Sequence, residues 1–245
     1  TAVEGAIAKV GSLAGETTAA VLTQLDTADS ELLNASGVTK ITGPLADVQA
    51  VEDTADGVGV DTLILASSVD HDISDAVGTT FDIADVATLN GETTGTINIL
   101  NAVTIEGTQS DLASTLLEGA NANSGFEDGD DGVVAATANL TISDAADGTM
   151  DSQDLLNLGF ATTGTVTVEN AQTITGVTTD VGNVFAASTL TAALVTDASK
   201  VVAATGSNVT MTGVVNISNE NDQQIVEDID AAVTGSQKGL MLPAG

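Results

Sequence analysis

Polar and apolar residues alternate along this chain in short bursts. Between the bursts, apolar residues fall three or four apart. The clearest burst is 161–176, ATTGTVTVENAQTITG. It predicts a turn at Thr163-Gly164, a strand over 165–168, a polar turn over 169–171 and a second strand over 172–175. Threonine alternating with Val or Ile is the period-two pattern of a half-buried strand. The same block stands upstream at 93–107, TTGTINILNAVTIEG. Aligning the two pairs Thr94 with Thr163, Gly95 with Gly164, Ile97 with Val166, Ile105 with Ile174 and Gly107 with Gly176. Such internal repetition dictates architecture before any motif does.

Taken in order, the periodicity predicts a helix over 17–34 with Val21, Leu22, Leu25, Leu32 and Leu33 on its apolar face, stopped at Gly37. A strand follows over 38–43. Pro44 suits a first helical position, and Leu45, Val48 and Val51 give one apolar face after it. A strand is expected over 60–66, a polar connection over 69–81, and a strand running into a helix over 83–89. Thr108 and Asp111 resemble a capping box ahead of Leu112, Leu116 and Leu117. The polar, glycine-rich 121–132 (NANSGFEDGDDG) reads as an inserted acidic loop. Strands are expected over 133–143, 200–204 and 208–217, and helices over 151–158, 179–194 and 223–233.

One β-branched anchor per unit gives Ile41, Ile64, Ile83, Ile105, Ile142, Ile174, Val195 and Ile217. The steps between successive anchors are 23, 19, 22, 37, 32, 21 and 22, so most lie near 21. The acidic loop accounts for the step of 37, and nothing in the pattern accounts for the step of 32. The expected fold is a β-rich repeat protein, a solenoid-like stack of short strands with short intervening helices (an α/β solenoid) and irregular termini. Its expected divisions are a flexible arm at 1–16, a repeat domain of about 21-residue units at 17–235 carrying the insertion at 121–132, and a tail at 236–245.

Composition narrows the function. Four Phe and no Tyr or Trp leave little for an aromatic-lined ligand pocket. Against 35 acidic residues stand four lysines (Lys9, Lys40, Lys200 and Lys238) and no arginine, a formal charge of −31. Phosphate neutralisation needs Lys and Arg, so nucleic-acid binding and phosphoryl transfer are disfavoured. An anionic membrane surface would also repel the chain, and no apolar run is long enough to span a bilayer. Without cysteine there is no disulfide, thiolate metal site or thiol nucleophile. A chain beginning at Thr1 rather than Met is expected to be a processed form or a fragment.

Segments of the type Asp85-Val-Ala-Thr-Leu-Asn90 followed by Thr93-Thr-Gly-Thr-Ile97, with Thr162-Thr-Gly-Thr-Val166 and Thr173-Ile-Thr-Gly176, resemble modules of very large, acidic, Thr/Ala/Asp-rich secreted surface proteins of marine bacteria and cyanobacteria. The resemblance covers the middle two-thirds of the chain. It implies an extracellular or cell-surface structural role in a filament, surface layer, sheath or adhesin stalk, and it lends no catalytic residues.

Three candidate sites follow. Glu127, Asp128, Asp130 and Asp131 form the densest acidic run, and oxygen-rich loops can hold Ca²⁺. Their spacing fits neither an EF-hand loop nor a calcium-binding nonapeptide, so a solvated loop and a weak cation site both stand. The only histidine, His71, lies in Asp70-His-Asp-Ile-Ser-Asp75. Carboxylates around an imidazole suit a metal or a general base, but a lone histidine in a polar connection is expected to be exposed. No G-x-S-x-G elbow accompanies it. The apolar Leu240, Met241 and Leu242 of the tail suit addition to a neighbouring subunit. The expected function is a non-enzymatic extracellular structural protein whose partners are copies of itself. The alternative is a Ca²⁺-dependent adhesin or phage-fibre module for surface glycans. A polysaccharide-active enzyme ranks below both, because sugar clefts are usually lined with aromatics.

Overall fold

The period-two bursts form strands too short to bury an apolar row alone, and each is completed by a partner from the next pass of the chain. The computed structural model describes residues 13–28, 33–55, 63–117, 132–177, 180, 181, 184, 201–204 and 206–212. In chain order the elements are β1 (Gly15–Thr18), α1 (Ala19–Ala28), β2 (Leu33–Asn34), β3 (Val38–Gly43), α2 (Leu45–Ala55), β4 (Leu63–Ile64), β5 (Asp70–Ile73) and β6 (Thr80–Asp82). There follow α3 (Ile83–Glu92), β7 (Thr96–Ile99), β8 (Thr104–Gly107), α4 (Gln109–Leu116), β9 (Gly132–Val134), β10 (Asn139–Ile142) and β11 (Thr149–Asp151). The last are α5 (Ser152–Phe160), β12 (Val166–Val168), β13 (Thr173–Val177), β14 (Val201–Val202) and β15 (Asn208–Thr212). The fold is mixed α/β.

Each strand pairs, in parallel, with the strand two places along the chain. One sheet runs β1-β3-β5-β7-β9, a second β6-β8-β10-β12-β14 and a third β11-β13-β15, with β2-β4 apart. Register places Ile41, His71, Ile97 and Val133 in one inward row. Phe81, Ile105, Leu140, Val166 and Val201 form a second row, and Met150, Ile174 and Val209 a third. These row residues are buried, and all but His71 are apolar. Burying a side chain of the Val, Leu, Ile or Phe kind contributes about 1.5–3 kcal/mol, so the rows hold the sheets together. The helices lie in sequence against one another, α1 on α2, α2 on α3, α3 on α4 and α4 on α5. Their apolar residues (Leu22, Val48, Val51, Val86, Leu89, Leu112 and Leu155 among them) close the other side of the core.

Register partners do not keep the expected step of about 21: the separation is 24 from Phe81 to Ile105 and 36 from Ile97 to Val133. Behind this variation is a longer period. Strand β5 begins at Asp70 and β10 at Asn139, an offset of 69. The same offset carries β6 onto β11, α3 onto α5, β7 onto β12, β8 onto β13 and β10 onto β15. The anchors Ile142 and Ile174 lie in β10 and β13, which are different places in this period, and so explain the step of 32. Ile83 opens helix α3 and is no strand anchor at all. Strand columns hand over as the period advances: β6 opens the second sheet, and its counterpart β11 opens the third.

Other boundaries differ from expectation. Gly15 and Glu16 belong to β1 rather than to an arm. The helix expected over 17–34 is α1 between two strands, because Thr17 and Thr18 pair with β3 and Leu33 and Asn34 with β4. Pro44 stands just ahead of α2, its carbonyl accepting from the Asp47 and Val48 N–H groups. The connection expected over 69–81 contains β5 and most of β6. The acidic loop at 121–132 lies outside the described residues except for Gly132, in β9. The helix expected over 223–233, the tail at 236–245 and the anchors Val195 and Ile217 also lie outside them, as does most of the helix expected over 179–194.

The Thr-Thr-Gly motif is a stacking clasp. The Thr93 hydroxyl donates to the Val69 carbonyl at 2.6 Å and accepts from the Gly95 N–H at 2.9 Å. Thr94 donates from its N–H and its hydroxyl to the Ser67 carbonyl. Thr162, Thr163 and Gly164 repeat these bonds onto Ala138 and Ala136. Glycine is required because a Cβ at Gly95 would collide with the Val69 carbonyl oxygen, and one at Gly164 with that of Ala138. The turn ahead of β6 is left-handed at Gly78, with φ +83, and its counterpart in the period is Asp147 with φ 66.

Two substitutions separate these constraints. Gly164→Ala is expected to lower stability by about 1–3 kcal/mol, since the added methyl drives neighbouring backbones apart. Asp147→Gly is expected to raise it by up to about 1 kcal/mol, because relief of the left-handed strain exceeds glycine's entropic cost. Urea denaturation of both variants measures the two effects.

Candidate functional site

The acidic cluster around the only histidine is the one sequence-nominated site that lies within the described residues. Strand β5 alternates strictly, so Asp70 and Asp72 are half-buried on one face while His71 and Ile73 are buried on the other. Each carboxylate already has a structural partner. Asp70 Oδ1 accepts the Thr96 N–H at 2.9 Å. Asp72 lies 3.2 Å from Lys40 Nζ and accepts from Asn98 Nδ2 at 3.2 Å. The Asp72 hydrogen bond and charge raise the Lys40 pKa, with lesser contributions from Glu16 and Asp70 and an opposing effect of burial. Lys40's contribution is therefore complete below the ordinary lysine pKa and is lost only as pH rises above it.

Asp75 caps a helix across passes: its Oδ2 accepts the Leu45 N–H at the start of α2 at 2.7 Å. Its own carbonyl accepts from Asn101 Nδ2 one pass further on, also at 2.7 Å. The motif recurs one period later, at Asp144. Its Oδ2 accepts the Gln109 N–H of α4 at 2.7 Å, and its carbonyl accepts from Asn170 Nδ2 at 2.9 Å. Gln109 then turns its side chain to the Asp151 carbonyl at 2.9 Å, satisfying the strand that opens the third sheet. Within single passes, Asp82, Thr108 and Asp151 cap α3, α4 and α5. At the α4 cap the Thr108 hydroxyl donates to the Asp111 carboxylate as well as accepting its N–H, a variant of the expected box.

His71 is buried, contrary to the exposure expected of it. It has 0% exposure and sits between Ile41 and Ile97 in the inward row. Its Nε2 lies 3.0 Å from Glu52 Oε1, on α2, a carboxylate that is itself 5% exposed. Neither atom completes a well-aligned hydrogen bond, and among the described residues Nδ1 has no partner. Glu52 was missed from sequence. Its signal is its place on the face of Leu45, Val48 and Val51, where a helical repeat puts the next inward residue. No third His, Asp or Glu joins the pair: among the described residues no group of three or more is placed to hold a metal ion. With both side chains buried, the pair is an internal contact of the core.

Glu127, Asp128, Asp130 and Asp131, and Leu240, Met241 and Leu242, lie outside the described residues. No helix among the described residues is long and apolar enough to cross a membrane. On α5, burial and the neighbouring Asp151 raise the pKa of Asp154. No protein-family model, curated protein or solved structure matches this chain.

Removing one member of a buried pair leaves the other uncompensated. Glu52→Leu alone is expected to cost about 3–5 kcal/mol, while Glu52→Leu with His71→Leu is expected to be neutral or stabilising by about 1–4 kcal/mol. A double-mutant cycle in urea reads both values. Folded Asp154 holds its proton more tightly than it does in the unfolded chain, so its ionisation opposes folding above its raised pKa. Asp154 is largely exposed, so Asp154→Asn is expected to raise Tm only slightly at pH 7, and the difference is expected to close as pH falls below the ordinary carboxylate range, followed by calorimetry.

Proposed function

We propose that the stacked passes form an α/β solenoid and that the chain is an extracellular, non-enzymatic structural subunit assembling with copies of itself into a filament, surface layer or sheath. The observation that carries this reading is the parallel pairing of each strand with the strand one pass on. Such an arrangement is quasi-one-dimensional: every pass covers the apolar and polar edges of its neighbour, and the array extends by repetition. The Asp, Asn, Thr and Gly residues of the repeated motifs are engaged in joining passes, which favours a structural over a catalytic use.

The charge suits the same reading. A body carrying −31 repels its copies, so assembly requires salt screening or bridging cations. A saline exterior supplies both. Ca²⁺ held by Glu127, Asp128, Asp130 and Asp131 would serve as a bridge between subunits, with Leu240, Met241 and Leu242 as an apolar contact.

Electron microscopy of the purified chain in saline, with Ca²⁺ and then with a chelator, tests the proposal. Ordered filaments or sheets are expected in Ca²⁺, and assembly lost on chelation would make the carboxylates a cation-bridged interface. Dispersed monomers in both conditions would overturn self-assembly and favour the glycan-binding module, to be followed by a glycan array.

A further inference from the structure

The long period creates a hazard. Corresponding elements recur in the same order with matched caps, so β10 suits the place of β5, and α4 the place of α2, in another copy or in a misfolded one. Repeat proteins characteristically misfold by such exchange. The residues at the two equivalent interfaces differ at several positions, and at one of them a buried polar pair stands where the other has two leucines. On the helices, Val48 corresponds to Leu112, Val51 to Thr115 and Glu52 to Leu116, an offset of 64 supported by the equivalent caps on Leu45 and Gln109. On the strands, His71 corresponds to Leu140 at the offset of 69. Glu52 and His71 are buried together, and Leu116 and Leu140 are both buried in the apolar core.

We propose that the Glu52–His71 contact is a register key, which admits β5 beneath α2 and rejects β10 there. Correct stacking gives polar against polar at one interface and leucine at both positions of the other. Exchange sets Glu52 of α2 against Leu140, or His71 of β5 against Leu116. Each mismatch buries a polar or charged group without its partner, which is the most unfavourable way to bury one. Single polar residues in otherwise apolar seams set register in this manner in coiled coils. The imperfect geometry of the native contact fits a role in discrimination, since it leaves His71 Nδ1 and Nε2 and Glu52 Oε1 without well-formed hydrogen bonds. An apolar pair at the same place would favour stability and give no discrimination.

The chain has no cysteine, so introduced thiols report register cleanly. Thr141 and Thr167 are register partners in the native second sheet, and Thr141→Cys with Thr167→Cys reports correct stacking. If β10 took the place of β5, Thr141 would fall beside Thr42, where Asp72 is native, so Thr42→Cys with Thr141→Cys reports exchange. Both thiol pairs are placed in the parent sequence and in the Glu52→Leu, His71→Leu background, refolded from urea, and treated with a short bismaleimide. The expected result is the Thr141–Thr167 cross-link alone in the parent, and a new Thr42–Thr141 cross-link in the Leu-Leu background. Cross-linking by ordinary self-assembly would be equal in the two backgrounds and so is subtracted. A Leu-Leu background that gives only the Thr141–Thr167 product would overturn the proposal, as would a parent that gives the Thr42–Thr141 product just as readily.

Discussion

The Asp75 carboxylate accepts the first N–H of helix α2 from the pass behind it, and the carbonyl of the same residue accepts the Asn101 amide from the pass ahead. One residue thus satisfies orphan groups on both sides. Helix starts leave several N–H groups without intrahelical partners, and loops between short strands leave carbonyls in the same condition. A fold built from strands as short as these is unusually rich in both. Here the remedy is to let each pass finish its neighbour, through Asp75 and Asp144, through the clasps at Thr93 and Thr162, and through Gln109. Stability is therefore a property of adjacent passes rather than of any one.

That constraint also decides where the charge goes. The inward rows are apolar apart from His71, so among the described residues the acidic groups are driven to the outer faces and helix starts, with Glu52 the buried exception. There some of them receive N–H groups or Lys40, and the excess over four lysines remains as net repulsion. Salt screens that repulsion over about 10 Å in 0.1 M.

Much of this was legible in the residues. Thr93-Thr-Gly95 and Thr162-Thr-Gly164 announced equivalent turns, and the Leu45, Val48 and Val51 face was buried as its spacing required. The unit length was not legible from β-branched anchors, because Ile83 and Ile105 look alike in sequence but occupy a helix start and a strand. Only pairing register shows which residues are equivalent. His71 was misjudged for a different reason. Asp70 and Asp72 made the stretch look solvated, yet they alternate with His71 and Ile73, and period two assigns the histidine to the side of the isoleucine. Composition outweighed periodicity at a place where periodicity was the better guide. The Asp75 and Asp144 caps could not be read at all, since each acts on a helix 30 or 35 residues earlier.

The handover of strand columns follows from where the helices leave the sheets. Helix α2 departs directly after β3, in the first sheet, whereas α3 departs after β6 and α4 after β8, in the second, and α5 departs after β11, in the third. Strand β11 opens its column where the preceding pass has turned into α4, so it meets a helix start instead of a strand. Its backbone must then be satisfied by something other than a ladder. Gln109, the first residue of α4, does this for β11 through its side chain while its own N–H is held by Asp144. Cap and column thus meet at one residue, Gln109. From β5 to β10 and from β6 to β11 the strand columns advance by one sheet.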